Sequence, residues 1–239
     1  MKAIAGSLMV TLLAGSLMLA PVASAQNAGV KMEVVPERKT ELPPDVHADS
    51  RSRLPLVKRE EMDEAGKKAY DAVVDPKSRL KAEIVGPAGI WLHVPELSPH
   101  IREINWYLRN KVKIEPKLTE LIILATVRES DGETEWAAHE PAALKAGLSQ
   151  EVIDIVKYRR PIQNVSPKES AIITMARQLL GDKHLSAEVY AEALKQFGQK
   201  DLVEMVLLMA NYSQTSIILH AFNQQLRPEL KLSLPVAKR

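Results

Sequence analysis

Residues 118–147 constrain the fold more than any other stretch, because they predict two consecutive helices of different character. The first helix is apolar on nearly every side, as is typical of a buried central helix, yet it carries the carboxylate of Glu120 near its start. A polar break at residues 130–132 separates it from a second helix. In that helix Glu135 and His139 are four residues apart and therefore lie on one face. The stretch predicts that acid groups and an imidazole from neighbouring helices meet close to the core.

Helix signals continue on both sides of this pair. Further helices are predicted at residues 60–74, from Ser98 onward, from Ser149 to before Pro161, at 166–181, at 186–198 and at 201–222. The strongest start is Ser166-Pro167-Lys168-Glu169, which is a capping box with proline at the first helical position. Strand-like alternation is absent over any useful window. The sequence therefore predicts an all-α fold of roughly seven or eight packed helices.

The helix that follows Ser98 has a mixed surface, and its facing matters later. The expectation is a buried apolar face and a polar face in water. The predicted buried face consists of Ile101, Ile104, Tyr107 and Leu108. The predicted water-facing residues are Arg102, Glu103 and Arg109.

The chain divides into three parts by composition. Residues 1–25 read as a signal peptide, with a charged start, an apolar run and a small-residue cleavage site, although an uncleaved anchor is the alternative. Residues 26–50 are polar and proline-bearing and are predicted to be a flexible linker or arm. Residues 51–236 form the predicted helical domain. A cleaved signal places the protein in the periplasm or outside the cell, with no membrane association after cleavage.

Composition excludes several functions. The net charge is +2 with both signs mixed along the chain, so a nucleic-acid partner is not expected. The sequence contains no cysteine, which removes disulfides, thiolate metal ligands and thiol-based redox chemistry.

The motif Glu135-Trp136-Ala137-Ala138-His139, together with Gly86-Pro87 and Leu92-His93-Val94-Pro95-Glu96-Leu97, resembles the carboxymuconolactone decarboxylase family, which includes alkylhydroperoxidase D-like proteins. The resemblance extends over residues 51–236. Redox members of the family carry two cysteines at the positions of Gly132 and Glu135, so the chain is similar to the cysteine-free, decarboxylase-like branch. The resemblance implies an alkylhydroperoxidase D-like helical bundle, assembly as a trimer or hexamer, and decarboxylation of a small unsaturated lactone or carboxylic acid without a metal or other cofactor.

The predicted catalytic residues are His139, Glu120 and Glu135. His139 would transfer a proton near neutral pH, Glu120 would orient the imidazole or share its proton, and Glu135 would hold a second proton-transfer or binding role. The residues predicted to bind substrate are Trp136, Trp91, His93 and His220.

Several alternatives stay open from the residues alone. Glu135 and His139 could be an ordinary pair on a solvated helix face, or, with Glu120, metal ligands, although no second histidine completes a strong ligand set. Trp136 could be core filler, and His220 could be a buried, hydrogen-bonded residue. Asn105, Trp106 and Arg109 could clamp a substrate carboxylate. At the level of function, the alternatives are a peroxidase-type antioxidant, which lacks its cysteine here, and a binding protein without catalysis.

Overall fold

The computed structural model describes residues 41–235, and this part of the chain is all-α, as predicted. Its eight α-helices are α1 (Glu64–Val74), α2 (Pro87–Trp91), α3 (Ser98–Asn110), α4 (Pro116–Glu129), α5 (Glu133–Lys145), α6 (Gln150–Lys157), α7 (Pro167–Ala176) and α8 (Ala187–Ala221). The predicted signal peptide, residues 1–25, and residues 26–40 of the predicted linker lie outside the described residues.

Helix α4 is the centre of the fold. Every residue from Leu118 to Arg128 is buried, and α4 packs against α5, α6, α7 and α8. A polar turn follows, in which Asp131 takes a left-handed backbone conformation with φ of 51°. At Gly132 a β-carbon would lie 2.9 Å from Ser216 Oγ, which shows how closely the chain approaches α8 here. The turn therefore brings the start of α5 against α8 and returns α5 alongside α4.

Helices α7 and α8 close the other side of the core. The capping box at Ser166 and Glu169 is present, as predicted, and a π-helical turn at Arg177–Asp182 extends α7. Gly198 interrupts α8 with a φ of 72°, which matches the predicted boundary between two helices. By length and composition α8 could cross a membrane, but 56% of its most apolar window is buried inside the protein, as in a core helix.

Helix α3 does not face the way the sequence predicts. Leu108 is buried as expected, but Ile104 and Tyr107 are 55% and 46% exposed, whereas Arg102 is only 8% exposed. Ser98 is the first residue of the helix and makes no capping bond. The amphipathic pattern placed Leu108 correctly and was wrong for Arg102, Ile104 and Tyr107.

A smaller apolar cluster joins α1 and α2 on one side of the molecule, centred on Val73, Ala88 and Leu92. Within it, Gly89 approaches the loop before α2 so closely that a β-carbon would lie 1.8 Å from the carbonyl oxygen of Ile84. Residues 41–50 form turns, and the Gln224 side chain donates a hydrogen bond to the carbonyl of Ser50. This packing fixes residues 82–91 along the edge of the site described next.

Candidate active site

His139 on α5 lies between two carboxylates. Its Nδ1 is 2.7 Å from Glu120 Oε2, across the α4–α5 interface, and its Nε2 is 3.6 Å from Glu135 Oε2, one turn earlier on α5. All three residues are less than 10% exposed. The two buried helices therefore bring together the residues that the sequence predicts as catalytic.

The surroundings of the imidazole favour its protonated form. Burial opposes protonation, but hydrogen bonding to Glu120 and Glu135 and their negative charges together raise the pKa of His139 above its ordinary value of 6.5. For Glu120, burial acts to raise the pKa, and the hydrogen bond and charge of His139, with the charge of Arg109, outweigh it and lower the pKa. Both shifts favour an imidazolium–carboxylate pair at His139 and Glu120 over the neutral pair.

Two further side chains complete this environment. Arg109 of α3 places a guanidinium nitrogen 3.7 Å from Glu120 Oε1, on the oxygen that His139 does not use. Tyr212 of α8 meets the His139 ring edge-on, with centroids 5.1 Å apart. Burial raises the pKa of the Tyr212 hydroxyl, which keeps it neutral. The imidazolium is thus confined by an aromatic ring as well as by two acids.

A pocket of about 330 Å³ opens onto His139 and Glu135. Its walls come from α2 and the loop before it, from α3, α5 and α8, and from residues 224–230. Glu120 does not line it and stands behind the imidazole. The chemically active lining residues are Trp91, Arg102, Asn105, Arg109, Glu135, His139 and Tyr212. Such a pocket can present a protonated imidazole nitrogen to a small organic molecule.

Comparison with known proteins gives one family and one fold to which this chain is similar. Residues 95–178 match the model of the Carboxymuconolactone decarboxylase family, and that segment contains Glu120, Glu135 and His139. This segment resembles that family. The fold also matches a crystal structure of a protein of unknown function from Agrobacterium tumefaciens, proposed there to be an antioxidant defence protein AhpD. The two are 15% identical with a TM-score of 0.54, and the match covers 59% of this chain and 97% of the other. No curated protein matches the chain.

The structure places the predicted substrate-binding residues unevenly around the pocket. Trp91 lines the pocket. Trp136 does not, because its side chain is fully buried in the main core. Successive residues of an α-helix are turned by about 100°, so Trp136 lies on a different side of α5 from Glu135, and α5 is buried on that side as well.

The other two predicted binding histidines lie outside the pocket. His93 is exposed just after α2, and its Nε2 is 3.1 Å from the carbonyl oxygen of Pro55. His220 is exposed near the end of α8, with Nε2 3.3 Å from the carbonyl oxygen of Asp131, and lines a separate cavity of about 470 Å³. Neither histidine lines the pocket beside His139.

Sequence reasoning missed Tyr212 and assigned Arg102 to water. A usable signal for α3 was present, since Arg102, Asn105 and Arg109 are spaced to form one polar stripe on a helix. Asn105 and Arg109 from the predicted clamp do line the pocket, whereas Trp106 lies beneath the Arg79 guanidinium, 4.5 Å from its ring centroid. Across residues 41–235, no group of three or more histidines and carboxylates has the arrangement needed to hold a metal ion.

Proposed function

We propose that this protein is a proton-transfer enzyme that decarboxylates a small unsaturated lactone or carboxylic acid without a cofactor. The observation that carries the proposal is a buried imidazole with one nitrogen fixed by Glu120 and the other beside Glu135 at a pocket. A surface pair would leave the imidazole in water, and this one is 6% exposed.

The chemistry needs a site that accepts charge and then delivers a proton. In the substrate, the bond between the carboxylate carbon and the carbon that bears it breaks, and carbon dioxide leaves. The electron pair of that bond passes through the alkene into the carbonyl. The resulting dienolate is stabilised by the positive charge of His139 and then takes the Nε2 proton onto carbon. Water returns a proton to the imidazole, which closes the cycle.

Glu120 and Glu135 have different tasks in this scheme. Glu120 accepts a hydrogen bond from Nδ1 of His139, which fixes the ring orientation and raises the basicity of the imidazole. Glu135 lies at the pocket wall, 3.6 Å from Nε2, where its charge helps the ring to regain a proton after each turnover.

The direct test is to measure carbon dioxide release by the purified protein on a panel of unsaturated lactone acids. His139→Gln is expected to reduce release at least 100-fold, which is the usual value of a positioned acid. His184→Gln, which changes an exposed histidine outside the pocket, is the matched control and should retain activity. Absence of carbon dioxide release from every acid in the panel would contradict the proposal.

The alternative function is that of a peroxidase-type antioxidant, and the similar Agrobacterium tumefaciens protein is proposed to be an antioxidant defence protein. Thiol-based reduction needs a cysteine thiolate, and this sequence has none. The same purified protein should therefore leave organic hydroperoxides unchanged. Turnover of hydroperoxide that is abolished in His139→Gln would support the alternative. A folded protein that is inactive in both assays would indicate a binding protein.

A further inference from the structure

Arg102 is a buried cation without a protein partner in the part of the chain that the structure describes. Its side chain is on α3, the residue is 8% exposed, and it lines the pocket that contains His139. Within residues 41–235 no hydrogen bond or ion pair reaches its guanidinium, and its Nε is buried without a hydrogen-bond acceptor. Burial lowers the pKa of Arg102, which reflects the cost of holding this charge away from water.

Another buried arginine shows how the same fold satisfies a guanidinium when the role is structural. Arg128 on α4 is 1% exposed, donates from Nε to the carbonyl of Lys157 at 2.9 Å, and pairs through a terminal nitrogen with Asp131. A buried charge is expensive unless it is paired and hydrogen-bonded. Arg102 is therefore an exception to the way this protein treats its buried arginines.

The position of Arg102 in the pocket points to a ligand. Arg109 is seven residues further along α3, on the same polar stripe, and its guanidinium is already near Glu120. Seven residues of α-helix span roughly 10 Å, so Arg102 belongs to a part of the pocket distinct from the Glu120–Arg109 pair. Asn105, between them, donates its amide to Asn211 Oδ1 at 2.8 Å.

We propose that Arg102 is the carboxylate-binding residue of the pocket and anchors an organic acid whose other end reaches His139. A guanidinium matches a carboxylate with two parallel hydrogen bonds, and a ligand carboxylate would supply the acceptors that the described residues do not. The proposal deepens the proposed function, on which it rests for the view that the pocket holds a substrate.

The carboxylate bound at Arg102 is not the one that is lost as carbon dioxide and is still present in the product. A carboxylate that leaves as neutral carbon dioxide loses its charge in the transition state, so a guanidinium on it would stabilise the substrate more than the transition state. Arg102 therefore acts as a positioning residue, and the carboxylate that leaves lies elsewhere in the pocket.

The test uses probes that cannot react. Binding of hexanoate and of its neutral isostere hexanamide is measured by calorimetry or ligand-observed NMR on the full-length protein and on Arg102→Met. Hexanoate should bind the unchanged protein more tightly than hexanamide does. Arg102→Met should weaken the binding of hexanoate at least tenfold and change the binding of hexanamide by no more than about twofold. Arg79→Met, which changes an arginine on the outer surface, is the matched control and should bind as the unchanged protein does.

Stability supplies a second readout that separates binding from a structural role. Removing an unpaired buried charge should leave the ligand-free Tm of Arg102→Met unchanged or higher, whereas loss of a structural arginine should lower it. Equal binding of the two probes to the unchanged protein, or a lowered Tm with unaltered hexanoate binding, would overturn the proposal. His139→Gln should still bind hexanoate, so the result stands apart from whether the protein releases carbon dioxide.

Discussion

At the scale of single residues, the His139–Glu120 pair links protonation to both stability and chemistry. The spacing of Glu135 and His139 was enough to predict that they share a helix face, because helix geometry fixes it. The 2.7 Å contact with Glu120 followed from a short turn between two apolar helices, which leaves few ways to pack them. The sequence does not contain the orientation of a side chain against a third helix, and so Tyr212 was missed.

The pair should make folding stability depend on pH in a defined window. The pKa of His139 is raised, so its contribution is fully present below its ordinary value of 6.5 and is lost as pH rises through the folded-state value. The pKa of Glu120 is lowered, so its contribution is present above its ordinary value of 4.5 and is lost as pH falls through the folded-state value. Both contributions are therefore complete between pH 4.5 and 6.5.

Glu120→Gln is predicted to destabilise the protein by on the order of 3 kcal/mol in that window, since it leaves a buried charge without its partner. The loss should shrink at higher pH, where the imidazole is neutral in both proteins. Denaturant unfolding across the pH range measures this difference, with Glu64→Gln, an exposed carboxylate on α1, as control. A penalty that does not vary with pH would contradict the ion pair.

Activity should show the same titration. Because the proposed proton donor is the imidazolium of His139, kcat/KM is expected to fall about tenfold per pH unit above the raised pKa of that residue. In Glu120→Gln the fall should begin at lower pH, since the carboxylate no longer holds the proton. A pH profile identical in the two proteins would indicate that another group donates the proton.

At the scale of secondary-structure elements, the sequence predicted which helices exist and where they end better than it predicted which side of each helix faces the core. Caps and breakers explain the success, as at Ser166 and Gly198, because they act on the local backbone. The facing of α3 was wrong because an amphipathic pattern shows which residues share a face and does not show what covers it. Here the polar face of α3 lines a pocket. A rule that places apolar residues in the core and polar residues in solvent assigns such a face to the outer surface. Trp136 was misplaced for the converse reason, since α5 is buried on two sides.

The close approach of α2 to its preceding loop gives a prediction at this scale. Gly89→Ala would place a methyl group 1.8 Å from the Ile84 carbonyl oxygen, so α2 or residues 82–86 must move. Overpacking of this kind typically costs about 1–3 kcal/mol. We expect a lower Tm and weaker binding of hexanoate, because Val85, Gly86 and Ala88 form part of the pocket wall. Unchanged stability and binding would show that this loop does not shape the pocket.

At the scale of the whole molecule, the outer faces of α3 and α8 form an apolar surface. Its exposed residues are Ile104, Tyr107, Val203, Leu207 and Ile217, which are between 46% and 67% exposed. Contiguous exposed apolar surface of this kind usually marks an interaction site. We propose that a second copy of the chain covers it, in keeping with the trimer or hexamer that the family resemblance implies.

Leu207→Lys should then reduce the assembled mass while preserving helical content, because a charge would be buried at the centre of the contact. Light scattering coupled to size-exclusion chromatography, with circular dichroism alongside, measures both quantities. Leu144→Lys on α5, which changes a leucine of similar exposure outside this surface, is the matched control. An unchanged protein that runs as a monomer would refute self-association through this face.

The central claim is that His139 is a buried imidazolium held between two carboxylates. Nitrogen-detected NMR titration of the unchanged protein, with His139 assigned by its absence in His139→Gln, measures it directly. We predict a pKa above 6.5 that falls in Glu120→Gln, with both ring nitrogens protonated at pH values below that pKa. A pKa at or below 6.5, unaltered by Glu120→Gln, would contradict the account.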